Sequence, residues 1–138
     1  METFDNTRPL VAAMAVGLAR AALDRSRTLL KQAGCRFDRQ RPLLVLQHAE
    51  ACWHRYEAEW EAARLLTLKA AWMADNRMPN SKEASIAKAK AGRMVGEVTL
   101  GCLALVGPQG YGEDELLEKW ARDARFSTSS RALSRSSN

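Results

Sequence analysis

The sequence has little proline, glycine or cysteine, and each shortage excludes a class of protein. Four prolines and eight glycines in 138 residues are too few for a collagen-like chain or a Pro/Gly-rich disordered chain. The three cysteines, Cys35, Cys52 and Cys102, are widely spaced and odd in number, so they predict neither a disulfide framework nor a Cys-x-x-Cys metal pair. A reducing compartment suits this cysteine usage, and we expect a cytoplasmic protein.

Long apolar segments are also lacking. The apolar run 9–19 is too short to span a bilayer as a helix. It follows Glu2 and Asp5 rather than a basic stretch, which is not the pattern of a signal peptide. We therefore expect no membrane-spanning segment and no membrane partner.

The residues that are abundant favour helices. Alanine, leucine, arginine, lysine and glutamate dominate, and no strand-like alternation occurs. Apolar residues recur every three or four positions, which is typical of helices that bury one face. The predicted fold class is all-α: an antiparallel up-down four-helix bundle with short loops. The predicted helices lie near 6–33, 42–74, 81–106 and 113–125.

Local signals set these boundaries. Asp5 is a candidate N-cap for the first helix, and Pro42 is placed to open the second, which would be about 50 Å long. Asn80 can cap the third helix, with Glu83 completing a capping box three residues later. Gly107 lies just past the last apolar position of that helix and predicts its end.

The composition changes after the fourth predicted helix. We assign 1–125 to the bundle and 126–138 to a tail that is rich in serine and arginine. The tail lacks the apolar residues that a core needs, so we predict that it is disordered.

The charge pattern of the sequence favours few kinds of binding partner. The net charge of +5 permits an anionic ligand but does not require one. Basic residues are mixed with acids along the helices, and no basic stripe interleaved with aromatic residues occurs, which disfavours nucleic acid. A basic helical nucleic-acid-binding module is kept as an alternative. His48 and Cys52 are four positions apart, but a tetrahedral metal site needs more ligands, so no metal is predicted.

Three motifs follow one another in the second half of the chain: Ala-Lys-Ala-Lys at 87–90, Ala-Leu-Val-Gly-Pro-Gln-Gly-Tyr at 104–111 and Arg-Asp-Ala-Arg at 122–125. In this order and at this spacing they resemble the C-terminal helical domain of the flavin-dependent acyl-CoA dehydrogenases. The segment 4–24 is similar to the first bundle helix of medium-chain members of that family. The resemblance covers nearly all of 1–125 and implies the same bundle.

The resemblance implies a substrate-binding element at the start of the first helix. Family members bind acyl-CoA partly through an Asp-x-x-Arg element, which falls on Asp5 and Arg8, with Thr7 between them. A guanidinium at a helix start suits an anionic or carbonyl-bearing ligand, although an N-cap beside a surface arginine would use the same residue types. The family's proton-abstracting glutamate corresponds to Thr7 or to about Arg131, so no catalytic residue is implied here.

The resemblance also implies FAD as the cofactor and five residues that contact it. Arg36 falls on the arginine of an Arg-x-x-Phe-Gly element and Gln47 on a glutamine of the second helix, both of which touch the FAD of a neighbouring subunit in the family. Ala104, Gly107 and Pro108 fall on a turn near the adenosine part of FAD. A simple helix stop would account for the glycine equally well.

The function that the resemblance implies is that of a C-terminal domain fragment of a FAD-dependent acyl-CoA dehydrogenase, which performs α,β-dehydrogenation of acyl-CoA thioesters in fatty-acid or related acyl catabolism. We expect the chain to be inactive alone, because the catalytic glutamate and the family's two other domains are missing. A frameshift just before Phe126 would explain the tail, because with suitable codons the shifted frame reads Ile-Gln-His-Ile-Phe-Glu-Gly-Thr, which resembles the family's catalytic loop. The alternative is a non-catalytic subunit that completes the flavin site of a hetero-oligomeric dehydrogenase. In either case we expect a homo- or hetero-oligomer with dehydrogenase subunits.

Overall fold

The computed structural model describes the backbone of residues 2–38, 40–42 and 47–129, and the side chains of residues 7–38, 40–42 and 47–125. Over these ranges the chain forms four α-helices, a 3-10 turn at Gly107–Tyr111 and no strand. The helices are α1 (Glu2–Gln32), α2 (His48–Asp75), α3 (Ser81–Val106) and α4 (Leu117–Ser129). The predicted all-α fold class is confirmed.

Two tryptophans show that α1 and α2 run in opposite directions. Trp53 Nε1 donates to the carbonyl oxygen of Leu23 at 3.1 Å, and farther along α2 Trp60 Nε1 donates to the carbonyl oxygen of Val16 at 2.9 Å. Residues later in α2 therefore contact residues earlier in α1, so the two helices are antiparallel. Each ring fills space between the helices while its N–H finds an acceptor, as a buried indole requires.

The third helix is the centre of the bundle, because each of the other three packs more extensively against α3 than against any other helix. The Lys90 ammonium of α3 pairs with Glu59 of α2, and the Tyr56 ring lies against Gly101 of α3. A step from Tyr56 forward to Glu59 on α2 corresponds to a step from Gly101 back to Lys90 on α3. These two helices are therefore antiparallel as well, and α1 and α3 run in the same direction.

Small side chains make up much of the core. Alanine at a helix contact allows the two backbones to approach more closely than a larger residue would. Trp53 and Met94 are fully enclosed among these small residues and fill the larger spaces. The buried alanines that line the helix contacts are Ala12, Ala15, Ala19 and Ala22 of α1, Ala63 and Ala70 of α2, and Ala84, Ala87 and Ala91 of α3.

The predicted starts of the first two helices are wrong. The first helix, α1, begins at Glu2, so Asp5 is its fourth residue rather than its N-cap. None of the residues before Asp5 breaks a helix, and acids in the first turn favour the helix dipole. The second helix, α2, begins at His48 rather than at Pro42, because Gln47 is extended with φ −63° and ψ 151°. Its length is therefore about 42 Å and not about 50 Å.

The third helix has the predicted bounds, with Gly107 at its end in the left-handed region at φ 75°. Asn80 occupies the N-cap position, but the predicted capping box is wrong, because its side chain makes no capping bond. Instead Asn80 is buried, and its Nδ2 donates to the carbonyl oxygen of Ala70 in α2 at 3.0 Å. The asparagine thus ties the turn before α3 to α2.

The fourth helix begins and ends four residues later than predicted. Gly112 is extended with φ −63° and ψ 149°, and Glu115 is bound to α1, so the acidic stretch precedes the helix instead of starting it. Its last turn includes residues 126–129 of the predicted tail. The remainder of that tail, 130–138, lies outside the described residues.

Candidate functional site

The up-down topology places the candidate residues at two opposite ends of the bundle. The first turns of α1 and α3 and the last turn of α2 form one end, which we call the Arg8 end. The last turns of α1 and α3 and the first turn of α2 form the other, the Arg36 end. The helix between Arg8 and Gln32 alone is about 36 Å long. The predicted acyl-CoA and FAD residues therefore do not meet within one chain.

At the Arg8 end, the arginine is tied to α3. Arg8 is half-buried, and its Nη1 donates to Ser85 Oγ at 2.8 Å. The Ser85 hydroxyl in turn donates to the carbonyl oxygen of Ser81 at 2.8 Å, in the first turn of α3. Thr7 is exposed on the neighbouring position, while the side chain of Asp5 lies outside the described residues. No local signal predicts the Arg8–Ser85 bond, which joins residues 77 positions apart.

At the Arg36 end, five predicted residues come from three separate elements. Arg36 is exposed in the loop after α1, and Gln47 is exposed at the N-cap position of α2. The Gln47 carbonyl oxygen accepts a bond from the Ala51 N–H at 3.0 Å, while its side chain makes no capping bond. Ala104 and Pro108 are exposed at the end of α3, and Gly107 lies between them. The structure thus brings all five to the same end of the bundle.

The loop that carries Arg36 is held on both sides of that residue. The Cys35 N–H donates to the carbonyl oxygen of Leu30 at 2.9 Å, which closes the end of α1. Phe37 packs edge-on against Trp53, with ring centroids 5.1 Å apart. The Asp38 N–H donates to Glu50 Oε1 at 3.2 Å. Arg36 is therefore an exposed side chain on an anchored backbone.

An arginine of α1 lies beneath this loop. The Arg27 guanidinium carbon lies 5.4 Å from the Phe37 ring centroid and 5.3 Å from that of Trp53, which are cation–π distances. Trp53 Nε1 also lies 3.2 Å from Ser26 Oγ. The loop's phenylalanine is thus used to cover Trp53 and Arg27, so its ring faces the bundle.

Sequence reasoning missed Glu50 and its role beneath the loop. Glu50 is fully buried in the first turn of α2, three residues after Gln47. The signal that could have identified it is its position: once Gln47 is recognised as the N-cap, Glu50 occupies the third helical position, where acids recur. The misplaced helix start at Pro42 hid that pattern.

An ion pair fixes the segment before α4 at the same end. Arg25 Nε donates to Glu115 Oε2 at 2.8 Å, and a second, shorter bond joins Arg25 Nη2 to Oε1. The hydrogen bonds from Arg25 lower the pKa of Glu115, and the carboxylate raises the pKa of Arg25. The pair connects α1 directly to the chain that enters α4.

The histidine and cysteine side chains provide no further candidate site. Cys52 Sγ lies 3.6 Å from His48 Nε2, but the described residues contain no group of three or more histidine, cysteine, aspartate or glutamate side chains that could hold a metal. Burial raises the pKa of the Cys102 thiol to about 11, which makes it a poor nucleophile. No described helix is long and apolar enough to cross a membrane.

Several basic residues pair with acids on their own helices. Arg20 pairs with Asp24, Arg64 with Glu61, and Arg122 with Glu118. Such pairs are typical of a solvated helix face rather than of a surface that binds phosphates. The alternative of a nucleic-acid-binding module gains no support from these contacts.

The Arg36 end fits FAD by its donor chemistry. Arg36 presents an exposed guanidinium that suits a diphosphate, and Gln47 presents an amide that can donate and accept. Gly107 leaves the space beside its α-carbon open, since a Cβ built there would meet nothing within 4 Å. A planar or backbone-hugging group could therefore approach the chain at this turn.

Comparison with known proteins gives consistent matches. The sequence profile described as "Acyl-CoA dehydrogenase, C-terminal domain" matches residues 1–130. The mitochondrial short-chain specific acyl-CoA dehydrogenase of Bos taurus is 35% identical over 126 residues, which cover 91% of this chain and 30% of that protein. The probable acyl-CoA dehydrogenase YngJ of Bacillus subtilis (strain 168) is 34% identical over 124 residues, covering 90% of this chain and 32% of the relative.

A solved structure agrees in fold. Butyryl-CoA dehydrogenase from Megasphaera elsdenii superposes with a TM-score of 0.81 at 30% identity, covering 96% of this chain and 36% of that chain. The chain thus spans about a third of the length of these relatives. The similarity of segment 4–24 to medium-chain members is not confirmed, since the mammalian relative described above is a short-chain enzyme.

Proposed function

The chain belongs to the acyl-CoA dehydrogenase family through its C-terminal helical domain, and from that membership we propose that it supplies two separate sets of binding groups for the α,β-dehydrogenation of acyl-CoA thioesters. The observation that carries the proposal is the placement of the two sets at opposite ends of one bundle. The Arg8 end would serve the acyl-CoA thioester, and the Arg36 end would serve FAD.

At the Arg8 end, Asp5, Thr7 and Arg8 would bind acyl-CoA. The Arg8 guanidinium suits a phosphate or a carbonyl oxygen, and its bond to Ser85 limits the positions that it can take. A side chain that is already held loses less conformational entropy when it binds. We therefore assign Arg8 a binding role and Ser85 the role of holding it.

At the Arg36 end, Arg36 would bind the diphosphate of FAD, and Gln47 would hydrogen-bond another polar atom of the cofactor. The turn of Ala104, Gly107 and Pro108 would pass close to the cofactor, because Gly107 offers no side chain that would block it. When bound, the flavin supplies hydride acceptance from the β-carbon of the thioester. The residues of this chain bind and orient, and none of them takes part in that transfer.

The separation of the two ends supports an oligomer. Because about 36 Å of helix lies between them, one chain's acyl-CoA residues and FAD residues would belong to two different active sites. We infer that each site is completed by groups from another subunit, in a homo- or hetero-oligomer with dehydrogenase subunits.

We further propose that the chain alone does not dehydrogenate acyl-CoA. Removal of the α-proton needs a carboxylate within hydrogen-bond reach. The position of one of the family's catalytic glutamates is occupied by Thr7, whose hydroxyl is a poor base. The test is to incubate the chain with FAD, butyryl-CoA and an artificial electron acceptor. No reduction of the acceptor is expected, and sustained turnover would refute this part of the proposal.

The binding roles can be tested separately from catalysis. The helical domain of a related short-chain enzyme is replaced by residues 1–125 of this chain, and the recipient keeps its own catalytic loop. Arg36→Ala should release FAD more readily, while the control Lys31→Ala, an exposed basic residue near the same end, should not. Arg8→Ala should raise KM for the thioester, while the control Lys82→Ala should not. Equal effects of a variant and its control would refute the assignment for that end.

A second candidate function is that of a non-catalytic subunit that completes another chain's flavin site. Exposed apolar side chains support it. Leu10 and Met14 of α1 and Leu65, Leu68 and Trp72 of α2 are all more than half exposed. Most of them lie toward the Arg8 end, and such surfaces are typical of interfaces. Co-purification of this chain with a longer dehydrogenase in a fixed ratio would favour this function, and a strictly monomeric chain would contradict it.

A further inference from the structure

A fully buried acid lies directly beneath the loop that carries Arg36. Glu50 has no exposed surface, although it occupies the first turn of α2, three residues from the exposed Gln47. Taking a carboxyl group out of water is costly unless hydrogen bonds replace those that it loses. The groups that contact the Glu50 carboxyl group therefore indicate the role of this buried acid.

Both oxygens of Glu50 face the loop. Oε1 accepts the Asp38 N–H at 3.2 Å, and Oε2 lies 3.9 Å from Arg41 Nη1. Oε2 accepts no hydrogen bond from any group that the structure describes. Among the described residues, the carboxyl group is thus hydrogen-bonded only by the Asp38 N–H, with the Arg41 guanidinium near its second oxygen.

The same contacts determine where Arg36 lies. Asp38, which is bonded to Glu50, is two residues past Arg36, and Phe37 between them packs on Trp53, three residues past Glu50. On the other side, the Cys35 N–H is bonded to Leu30. A shift of the Asp38 amide away from Glu50 would therefore move the Arg36 backbone with it.

We propose that Glu50 is a positioning residue that holds Arg36 at a set place relative to Gln47. This inference rests on the proposed function, in which those two residues contact one FAD molecule. Glu50 belongs to the same helical turn as Gln47 and is bonded to the same loop as Arg36, so it is the direct link between them. A buried polar group contributes here to one conformation of the loop more than to overall stability.

The inference is tested first without any ligand, by hydrogen exchange of single amides in the full chain. Glu50→Leu removes both oxygens while it keeps most of the volume, so the bundle should remain folded. Amide exchange at Asp38 should become about tenfold faster or more, with little change in α3, because the Asp38 N–H loses its acceptor Glu50 Oε1. Glu50→Gln keeps an acceptor oxygen and should restore most of the protection. Glu61→Gln, which changes a partly exposed acid of the same helix, is the matched control.

Two exchange results would overturn the inference. The first is unchanged exchange at Asp38 in folded Glu50→Leu. The second is an increase spread equally over α1, α2 and α3, because that would show a general loss of stability rather than a released loop. Thermal unfolding of each variant distinguishes the second result from a local effect.

A titration with FAD, followed by the NMR signals of the same amides, connects positioning to binding. Arg36→Ala and Glu50→Leu should both raise the apparent Kd, the second by severalfold, while Glu50→Gln should lie near the unchanged chain. If Arg36→Ala weakens binding and Glu50→Leu does not, the positioning role is wrong although the proposed function stands. If Arg36→Ala has no effect, the proposed FAD contact fails, and the exchange experiment alone decides whether Glu50 holds the loop.

Discussion

Breaking the ion pair between Arg25 and Glu115 should destabilise the junction between α1 and α4 in a manner that depends on pH. The pair is bidentate, with Arg25 Nε 2.8 Å from Glu115 Oε2 and a second bond from Nη2 to Oε1. The Glu115 side chain is only 10% exposed, whereas that of Arg25 is 42% exposed. Solvent therefore screens the pair from one side only.

The magnitude follows from this partial exposure. Exposed ion pairs contribute roughly 0.2–1 kcal/mol in double-mutant cycles, and bidentate geometry favours the upper part of that range. We expect a coupling free energy of about 1 kcal/mol, which corresponds to a change in Tm of about 4 °C for a domain of this size. The matched control is the pair of Arg64 and Glu61, which are 2.9 Å apart on one helix and each 43% exposed. Its coupling should be about 0.3 kcal/mol.

The sign of the pH dependence is set by the pKa of Glu115. The hydrogen bonds from Arg25 hold that pKa below its ordinary value of 4.5 in the folded chain. The folded state therefore binds the proton more weakly than the unfolded state, and the pair stabilises the fold above pH 4.5. This contribution is lost as the pH falls through the folded-state pKa.

The assay is urea unfolding of the unchanged chain, Arg25→Ala, Glu115→Ala and the double variant, at neutral pH and at a series of acidic values. The free energies of unfolding give the coupling at each pH. A coupling at neutral pH no larger than that of the Arg64–Glu61 pair would refute the magnitude. A coupling that stays constant as Glu115 becomes protonated would refute the electrostatic explanation.

Three further predictions concern single sites. Cys102, whose pKa is raised to about 11 by burial, should resist iodoacetamide near pH 8. Mass spectrometry should therefore find two adducts in the native chain and three in urea. Equal reaction rates at all three thiols would contradict this prediction. Gly107→Ala should lower the free energy of unfolding by about 1 kcal/mol, because φ at Gly107 is 75° and alanine rarely adopts that angle. Gly96→Ala should raise the free energy of unfolding by about 0.5–1 kcal/mol, because Gly96 lies inside α3 with open space around it. The same sign for both variants in urea unfolding would be inconsistent with the backbone explanation. Trp53→Phe should cost about 1–3 kcal/mol more than Trp60→Phe, because the Trp53 ring is fully buried and its replacement leaves a cavity, whereas the Trp60 ring is only partly buried. Equal costs in the same assay would contradict that reason.

Local signals predicted the fold best where the structure uses local contacts. The ends of α3 were predicted correctly, because Gly107 acts through its own backbone conformation. The start of α4 was predicted wrongly, because Glu115 binds Arg25, a residue 90 positions earlier that no sequence window includes. The start of α2 was predicted wrongly because Pro42 is a strong local start signal, whereas Gln47, the residue that precedes the helix, is extended and makes no side-chain capping bond.

The candidate site shows the same division. Resemblance to a family identified Arg36, Gln47 and the turn at Gly107, and the structure brings these residues to one end of the bundle. It did not identify Glu50, which belongs to none of the motifs that carry the resemblance, and the third position of Glu50 in α2 is recognised only once Gln47 is the N-cap. It also could not show that Arg8 is held by Ser85 of α3. Residues proposed to contact a ligand can thus be picked out by pattern, whereas the residues bonded to them are found only in the packed structure.

The composition of the core explains why the two ends can have separate roles. Alanines line the contacts between α1, α2 and α3, and a larger side chain there would push two helices apart along their whole length. The candidate residues at the Arg8 and Arg36 ends, in contrast, depend on polar bonds local to each end, such as Arg8–Ser85 and Asp38–Glu50. A substitution at one end changes only its own bonds, and sites so far apart with no shared partner act additively. Binding at each end could therefore be altered without disturbing the core or the opposite end.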